Sequence, residues 1–205
     1  ADIFNIIMLP RCQTPSRRQT DAQRAALWGA ASAFARDRRA FLLVDPLSDN
    51  NAWADVSQAT GAPGVSTLRA GVVTDHAALY WPRLRVNDAT GAELVVDPAG
   101  TIAGLMARTD NSRGVWKAPA GIAATLTGVR GLERRITDPE NGVTNLAAIN
   151  TNRVFPQGVV SWGARTMAGF ENSGEDDYRY VPVRRTALFI EESLYRGLKF
   201  AVFEP

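Results

Sequence analysis

Residues 4–44 read FNIIMLPRCQTPSRRQTDAQRAALWGAASAFARDRRAFLLV, and the order of elements within them decides the fold class. Phe4 to Leu9 (FNIIML) is an apolar run stopped by Pro10, the pattern of a strand buried on both faces. Thr20 and Gln23 make a T-x-x-Q capping box, which opens a helix whose Leu27, Ala30, Ala31 and Phe34 share one face. Arg36, Arg38 and Arg39 crowd its last turn, where cations suit the helix dipole. Phe41 to Val44 (FLLV) is a second buried strand. Strand, helix and strand form a βαβ unit with a right-handed crossover, so the chain is α/β.

The rest of the chain builds on that unit. A helical stretch around Asn51 to Ala59, a loop containing Gly61, Pro63 and Gly64, and a helix near Val65 to Val73 lead to Ala77 to Val86 (AALYWPRLRV). This is a third strand, with Pro82 at a bulge or an edge. Asp88 to Gly91 (DATG) is a turn signal, after which Glu93 to Val96 pairs back as a hairpin. Asp97 as N-cap with Pro98 at the first position opens a helix through Arg108, with Ile102, Leu105 and Met106 inward. Gly114 to Gly121 (GVWKAPAG) is too rich in Gly and Pro for regular structure, and Gly128 to Leu132 is ambiguous. Thr137 and Glu140 bracket Pro139 in a second capping box, whose helix Gly142 keeps short. Val154 to Phe155 and Val159 to Trp162 read as strands across a Pro156 to Gly158 turn, and Glu171 to Asp177 (ENSGEDD) as a solvated loop tip. In the last stretch, Arg184 to Pro205, Ala187, Ile190, Leu194 and Leu198 fall on one helical stripe and are expected to pack, with Trp116 and Trp162, against the βαβ core.

Composition narrows the function classes. The 205 residues are 45% hydrophobic and 21% charged, as expected for a globular domain rather than a disordered one. No apolar run approaches the ~20 residues of a membrane span, and Ala1 opens directly on a strand rather than a signal peptide. Cys12 is the single cysteine and His76 the single histidine, which removes a disulfide and any metal site built on several His or Cys ligands. Of 23 basic residues only Lys117 and Lys199 are lysines, leaving 21 arginines. Both an interface role and a compositional bias produce that usage. A net charge of +2, with acidic residues interleaved, is too small for a general nucleic-acid polyelectrolyte.

Three chemistries can be tested on the residues. Asp75 and His76, as neighbours on an extended segment, point to opposite faces and do not form a catalytic relay. Asp45 ends the second strand, where a dinucleotide fold places its ribose-binding acid, but the Pro10 to Gln19 connection contains no glycine to admit a pyrophosphate. An α/β nucleotide-binding domain or enzyme is the alternative this leaves. Cys12 has Arg11, Arg17 and Arg18 nearby but no histidine in range to act as base. The five tryptophans are spaced too widely for a base-stacking track and fit core and interface instead.

Four segments together resemble the contractile tail sheath family of bacteriophages, pyocins and related injection machines. They are Arg108-Thr109-Asp110 followed by Arg113-Gly114-Val115-Trp116-Lys117-Ala118-Pro119-Ala120; Ile149-Asn150 with Arg153; Trp162-Gly163-Ala164-Arg165-Thr166; and Phe189-Ile190-Glu191-Glu192-Ser193 with Ala201-Val202-Phe203-Glu204-Pro205. Gly114, Trp116, Lys117, Pro119, Trp162, Gly163, Arg165, Glu204 and Pro205 carry most of the likeness. The resemblance implies an α/β (α+β) inner, tube-proximal sheath domain over residues 1–205, with a mixed sheet flanked by helices and a βαβ start. It implies an excerpt of a longer subunit, lacking an N-terminal arm and C-terminal elements. The function implied is structural and non-enzymatic: helical polymerisation around a tail tube and contraction that drives the tube through a target envelope. Its partners would be identical subunits, the tube protein, the baseplate and the tail terminator, in a virion tail assembled in the host cytoplasm. No cofactor, small-molecule substrate, nucleic acid or membrane is called for. Charged residues outside the core, Arg184, Arg185, Glu191, Glu192 and the cluster Glu175, Asp176 and Asp177, are the expected contacts to neighbouring subunits or the tube.

Overall fold

A computed structural model describes residues 3–12, 15–49, 53–61, 64–171, 174 and 177–203. The opening βαβ unit is present: β1 (Ile6–Met8), α1 (Asp21–Asp37) and β2 (Phe41–Val44), with β1 parallel to β2, but α1 buries Arg24, Trp28, Ser32 and Ala35 while Leu27 and Phe34 of the expected face are exposed. Both halves of the α1 capping box form, the Gln23 amide donating to the Thr20 hydroxyl at 3.2 Å and the Thr20 amide to the Gln23 side chain at 2.9 Å. Two short helices, α2 (Val56–Thr60) and α3 (Val65–Ala70), follow; the Asn51 and Pro63 positions lie outside the described residues.

The expected single strand from Ala77 to Val86 is two strands. β3 (Ala77–Trp81) lies in the large sheet, and after a cis Trp81-Pro82 peptide β4 (Leu84–Asn87) enters a second sheet. Proline has no amide to donate to a ladder, so Pro82 separates the two sheets rather than bulging one strand. β5 (Glu93–Val96) pairs back on β4 as expected, around a turn in which the Asp88 carboxylate accepts the amides of Thr90 and Ala92 at 2.8 and 2.9 Å. The ambiguous segment supplies β6 (Val129–Leu132), on the other side of β4.

α4 (Ala99–Arg113) is longer than its pattern suggested, and Asp97 does not cap it. The cap comes from far away in sequence: Asp45 Oδ1 accepts the Ala99 amide at 2.9 Å, while Asp97 turns to Arg24. α5 (Asp138–Leu146) starts with its capping box in place and is followed by the hairpin of β7 (Ile149–Phe155) and β8 (Gly158–Ser161). α6 (Val181–Gly197) closes the chain with a short 3-10 turn, Lys199–Phe203.

The large sheet has the order β1-β2-β3-β7-β8, parallel except for β8, and the small antiparallel sheet the order β5-β4-β6. The fold is therefore α/β with a mixed sheet. The central strands β2 and β3 are buried on both faces, which explains their unbroken apolar runs, whereas β1, at the sheet edge, is half-exposed rather than buried on both faces as expected. Leu42, Val44, Leu79 and Trp81 face one core with Trp28 and Ala35 of α1, while Phe41, Leu43 and Tyr80 face another with Ile102, Leu105 and Met106 of α4 and Leu188 of α6.

Candidate functional site

α6 is where sequence and structure differ most. Its inward residues are Val181, Arg184, Arg185 and Leu188, a helical stripe offset from the expected one. Ile190, Leu194 and Leu198 are 50%, 52% and 49% exposed, and Trp116 is 67% exposed, so neither belongs to the core; Trp162 is half-buried. The helix is apolar on more than one side, and the side that packs carries two buried arginines that meet the half-buried carboxylates of Asp75 and Asp110. Arg185, 3% exposed, makes two hydrogen bonds of 2.9 and 2.5 Å to Asp110. Arg184, 7% exposed, reaches Asp75 at 3.5 Å and Glu191 at 3.7 Å, contacts the His76 ring, and stacks over Tyr178 at 4.2 Å. Expected outside the core, these two arginines are internal ties.

The other expected contacts divide. Glu192 is half-buried, bridging Arg39 at 3.1 Å and Arg196, and the Arg196 hydrogen bond leads the effects that lower its carboxyl from the ordinary range. Glu191 and Asp177 are exposed; Glu175, Asp176, Glu204 and Pro205 lie outside the described residues.

Between α6, the Gly114–Trp116 segment, the start of the chain and the end of α1 runs a groove of about 530 Å³. Its floor is Leu188 and the Arg185–Asp110 pair. Trp116 and Phe4 form walls, Phe4 stacked on Phe34 with ring centroids 5.7 Å apart. Along the rim Arg39 pairs with Glu192 and lies over the Tyr195 ring at 4.4 Å. Gly114 ends α4 at φ +96°, a conformation side chains avoid, and a Cβ there would stand 2.4 Å from the Trp116 ring. The glycine lets the tryptophan fold back over the chain. Lys117 is half-buried, its amide bonded to the Gly114 carbonyl at 3.1 Å, and Pro119 is buried.

The Trp162–Arg165 segment has a structural reason too. A Cβ on Gly163 would meet Asn150 Cα and Oδ1 at 2.8 Å, so only glycine passes this close to β7. Asn150, 1% exposed, donates to Leu79 O at 3.0 Å and Arg165 O at 2.7 Å and accepts the Arg165 amide at 2.6 Å. Arg165 in turn donates to Gly169 O at 2.6 Å.

The positions that a catalytic or nucleotide site would use are committed elsewhere. Asp45, 1% exposed, spends one oxygen on the Ala99 amide and the other on Arg24 at 2.8 Å. Arg24 also holds Asp97 at 2.5 Å, and Arg11, 6% exposed, contacts Asp21 and Asp49, so side chains fill the crevice beyond β1 and β2. Burial, then the Asp97 charge, pushes the Asp45 carboxyl up to about 7 against the pull of Arg24 and the Ala99 amide. Asp75 and His76, expected to point apart, touch at 2.9 Å because they sit on a tight 3-10 turn rather than a strand. Burial raises the Asp75 carboxyl, but the His76 hydrogen bond and the charges of His76 and Arg184 outweigh it and hold it low. The other neighbour of the His76 ring is a guanidinium, which supplies no nucleophile. Cys12 is half-buried, and its amide donates to Gln19. Among the described residues no His, Cys, Asp and Glu group is placed to hold a metal ion, and no helix is long and apolar enough to cross a membrane.

The profile of the phage tail sheath protein central domain matches residues 3–167. The chain belongs to the tail sheath protein family. Among solved structures, a chain of the anti-feeding prophage baseplate matches at 31% identity and a TM-score of 0.72 over 98% of this chain and 47% of its own. The anti-feeding prophage helical sheath in its contracted state matches at 31% and 0.70 over 100% and 49%. The contracted sheath complex of the extracellular contractile injection system PVC matches at 33% and 0.61 over 82% and 42%. A sheath tail protein from Desulfitobacterium hafniense, at 15% identity and 0.61 over 96% and 40%, shares the fold. No curated protein matches. This sheath chain spans about half the length of the first two relatives. Of the glycines in the expected signature, Gly163 passes close to the β7 backbone and Gly114 lies against the Trp116 ring, while Trp116 stands on the surface.

Proposed function

We propose that the chain is the inner, tube-proximal domain of a longer sheath subunit that polymerises helically around a tail tube and contracts to drive it through a target envelope. The observation that carries this reading is the match of the whole chain to a contractile helical sheath at 31% identity and a TM-score of 0.70. The role is structural, without catalysis. Identical subunits, the tube protein, the baseplate and the tail terminator are its partners, and a phage or phage-like tail assembled in the producing cytoplasm is its location. Neither a small-molecule substrate nor nucleic acid nor membrane enters. Glu191 and Asp177, exposed, together with Glu175 and Asp176 of the same acidic stretch, are the charged residues proposed to face neighbours or the tube, since exposed pairs worth ~0–1 kcal/mol each can be exchanged during contraction.

Purified full-length subunit mixed with polymerised tube protein tests the reading. Cosedimentation with the tubes, with no thermal shift on adding nucleotides, is the expected result. A subunit that stays dispersed and binds a nucleotide at micromolar Kd, about −8 kcal/mol, would sink it.

A further inference from the structure

Charged side chains from five segments converge where β1 and β2 end against the start of α4. Arg11 contacts Asp21, holds Asp49 at 3.0 Å and lies 3.6 Å from Asp97 through its Nε. Arg24 donates to Asp45 at 2.8 Å and to Asp97 at 2.5 Å. Fully ionised, two guanidiniums would face four carboxylates, a formal excess of two negative charges. Asp49 is partly solvated, whereas the Asp45 and Asp97 side chains are 1% and 8% exposed, so the inner pair bears the excess where water screens it least. Arg83, itself bound to Glu133, and Arg18 add their charges from farther out.

The inner pair has too little counter-charge for two ionised carboxylates. Asp45 and Asp97 share the one guanidinium of Arg24, and the closest bonds of Arg11 go to Asp21 and Asp49. Two like charges around a single counter-ion in a buried site do not both stay ionised. Asp97 Oδ1 is also buried and receives no hydrogen bond, a poor setting for a charged oxygen. Burial and the Asp97 charge push the Asp45 carboxyl up to about 7, in the same direction.

α4 is directly exposed to the state of this pair. Asp45 Oδ1 accepts the Ala99 amide at 2.9 Å and so caps the helix from β2, and Asp97 stands two residues before its first position. Beyond the first turn Ile102, Leu105 and Met106 are locked in the core, and at the far end Asp110 is tied to Arg185. A change in the charge of the pair therefore acts on the first turn and leaves the rest of the helix packed.

We propose that Asp45 and Asp97 hold a single proton between them, and that its loss under alkaline conditions frees the first turn of α4 from β2, a pH-sensitive latch at one end of the helix. With the proton in place, one negative charge meets Arg24 and the cap holds. Without it, two buried carboxylates repel each other across that guanidinium, and separating them draws Asp45 from the Ala99 amide.

Hydrogen–deuterium exchange of the dispersed full-length subunit, read by mass spectrometry at about pH 5.5 and about pH 8.5 on either side of the titration, tests the latch. Rates are divided by those of the unfolded chain at each pH, which removes the base catalysis of exchange itself. Protection of the peptide over residues 98–106 should fall on going to the higher pH by at least about tenfold more than that of the peptide over α5. In Asp97→Asn, which keeps an oxygen for Arg24 without the charge, the two peptides should keep the same ratio at both pH values. Asp45→Asn, which keeps an oxygen for the Ala99 amide, gives the same readout if the first variant does not fold. Equal changes in the two peptides of the parent would mean that no latch opens locally and would overturn the proposal. So would an Asn variant that repeats the parent's selective loss, since the proton would then lie on another group.

Discussion

Arg185 and Asp110 illustrate how this domain uses its arginines. A guanidinium that is 3% exposed and held by two hydrogen bonds to one carboxylate is costly to disrupt from one side, because the partner is left without compensation. Arg185→Met should therefore destabilise the domain by about 3 kcal/mol, lowering Tm by roughly 6–12 °C for a chain of this size. Reversing Arg184 and Arg185 together should unfold it, whereas surface charges changed in the same way would leave melting unaltered. Asp45 makes a second residue-scale prediction. Burial and the Asp97 charge push its folded carboxyl up to about 7, above the ordinary value of 3.8, so the folded state holds the proton more tightly than the unfolded state does. The stability linked to this group is complete below about pH 4 and is lost as pH rises through about 7. Denaturation measured across that window should show the decline in the parent and a flatter profile in Asp45→Asn. Neither role was legible in the sequence. Position 110 meets 185, and 24 gathers 45 and 97, and no local pattern reports partners so far apart.

At the level of elements, legibility followed locality. The two capping boxes and the DATG turn involve residues within four positions of one another, and all three formed as read. β2 and β3 are buried where apolar runs predicted buried strands, since a strand covered on both faces needs no alternation, but the run from Phe4 to Leu9 gave only the half-exposed edge strand β1. The start of α4 was misread because its cap comes from Asp45, and the packing stripe of α6 because two arginines point inward. The corrected stripe has a measurable consequence: in the 205-residue chain, Leu194→Ala should cost less than about 0.5 kcal/mol, whereas Ile102→Ala, at 0% exposure in α4, should cost about 2–5 kcal/mol. Urea denaturation of the two variants against the parent decides it, and a large loss at position 194 would return that face to the core. Gly163→Ala forces a methyl group within 2.8 Å of the β7 backbone and should cost about 1–3 kcal/mol. A neutral outcome would show that the Trp162–Arg165 segment is not held there by that close approach.

For the molecule as a whole, the family was legible in the sequence because its segments mark backbone constraints, the glycines at 114 and 163 and the paired Asn150 and Arg165. The surface was not, since exposed apolar residues on a helix look the same in sequence as buried ones. The domain keeps ion-paired arginines inside and commits the polar side chains at its β1 and β2 strand ends to one another, and it belongs to the tail sheath protein family. Electron cryomicroscopy of the full-length subunit assembled on its tube tests the proposed role most directly. A hollow helical sheath is the predicted result, with the five-stranded sheet domain lying against the tube and Arg184 and Arg185 turned inward. Discrete, unassembled subunits, or a polymer in which this domain stands away from the tube, would contradict the account.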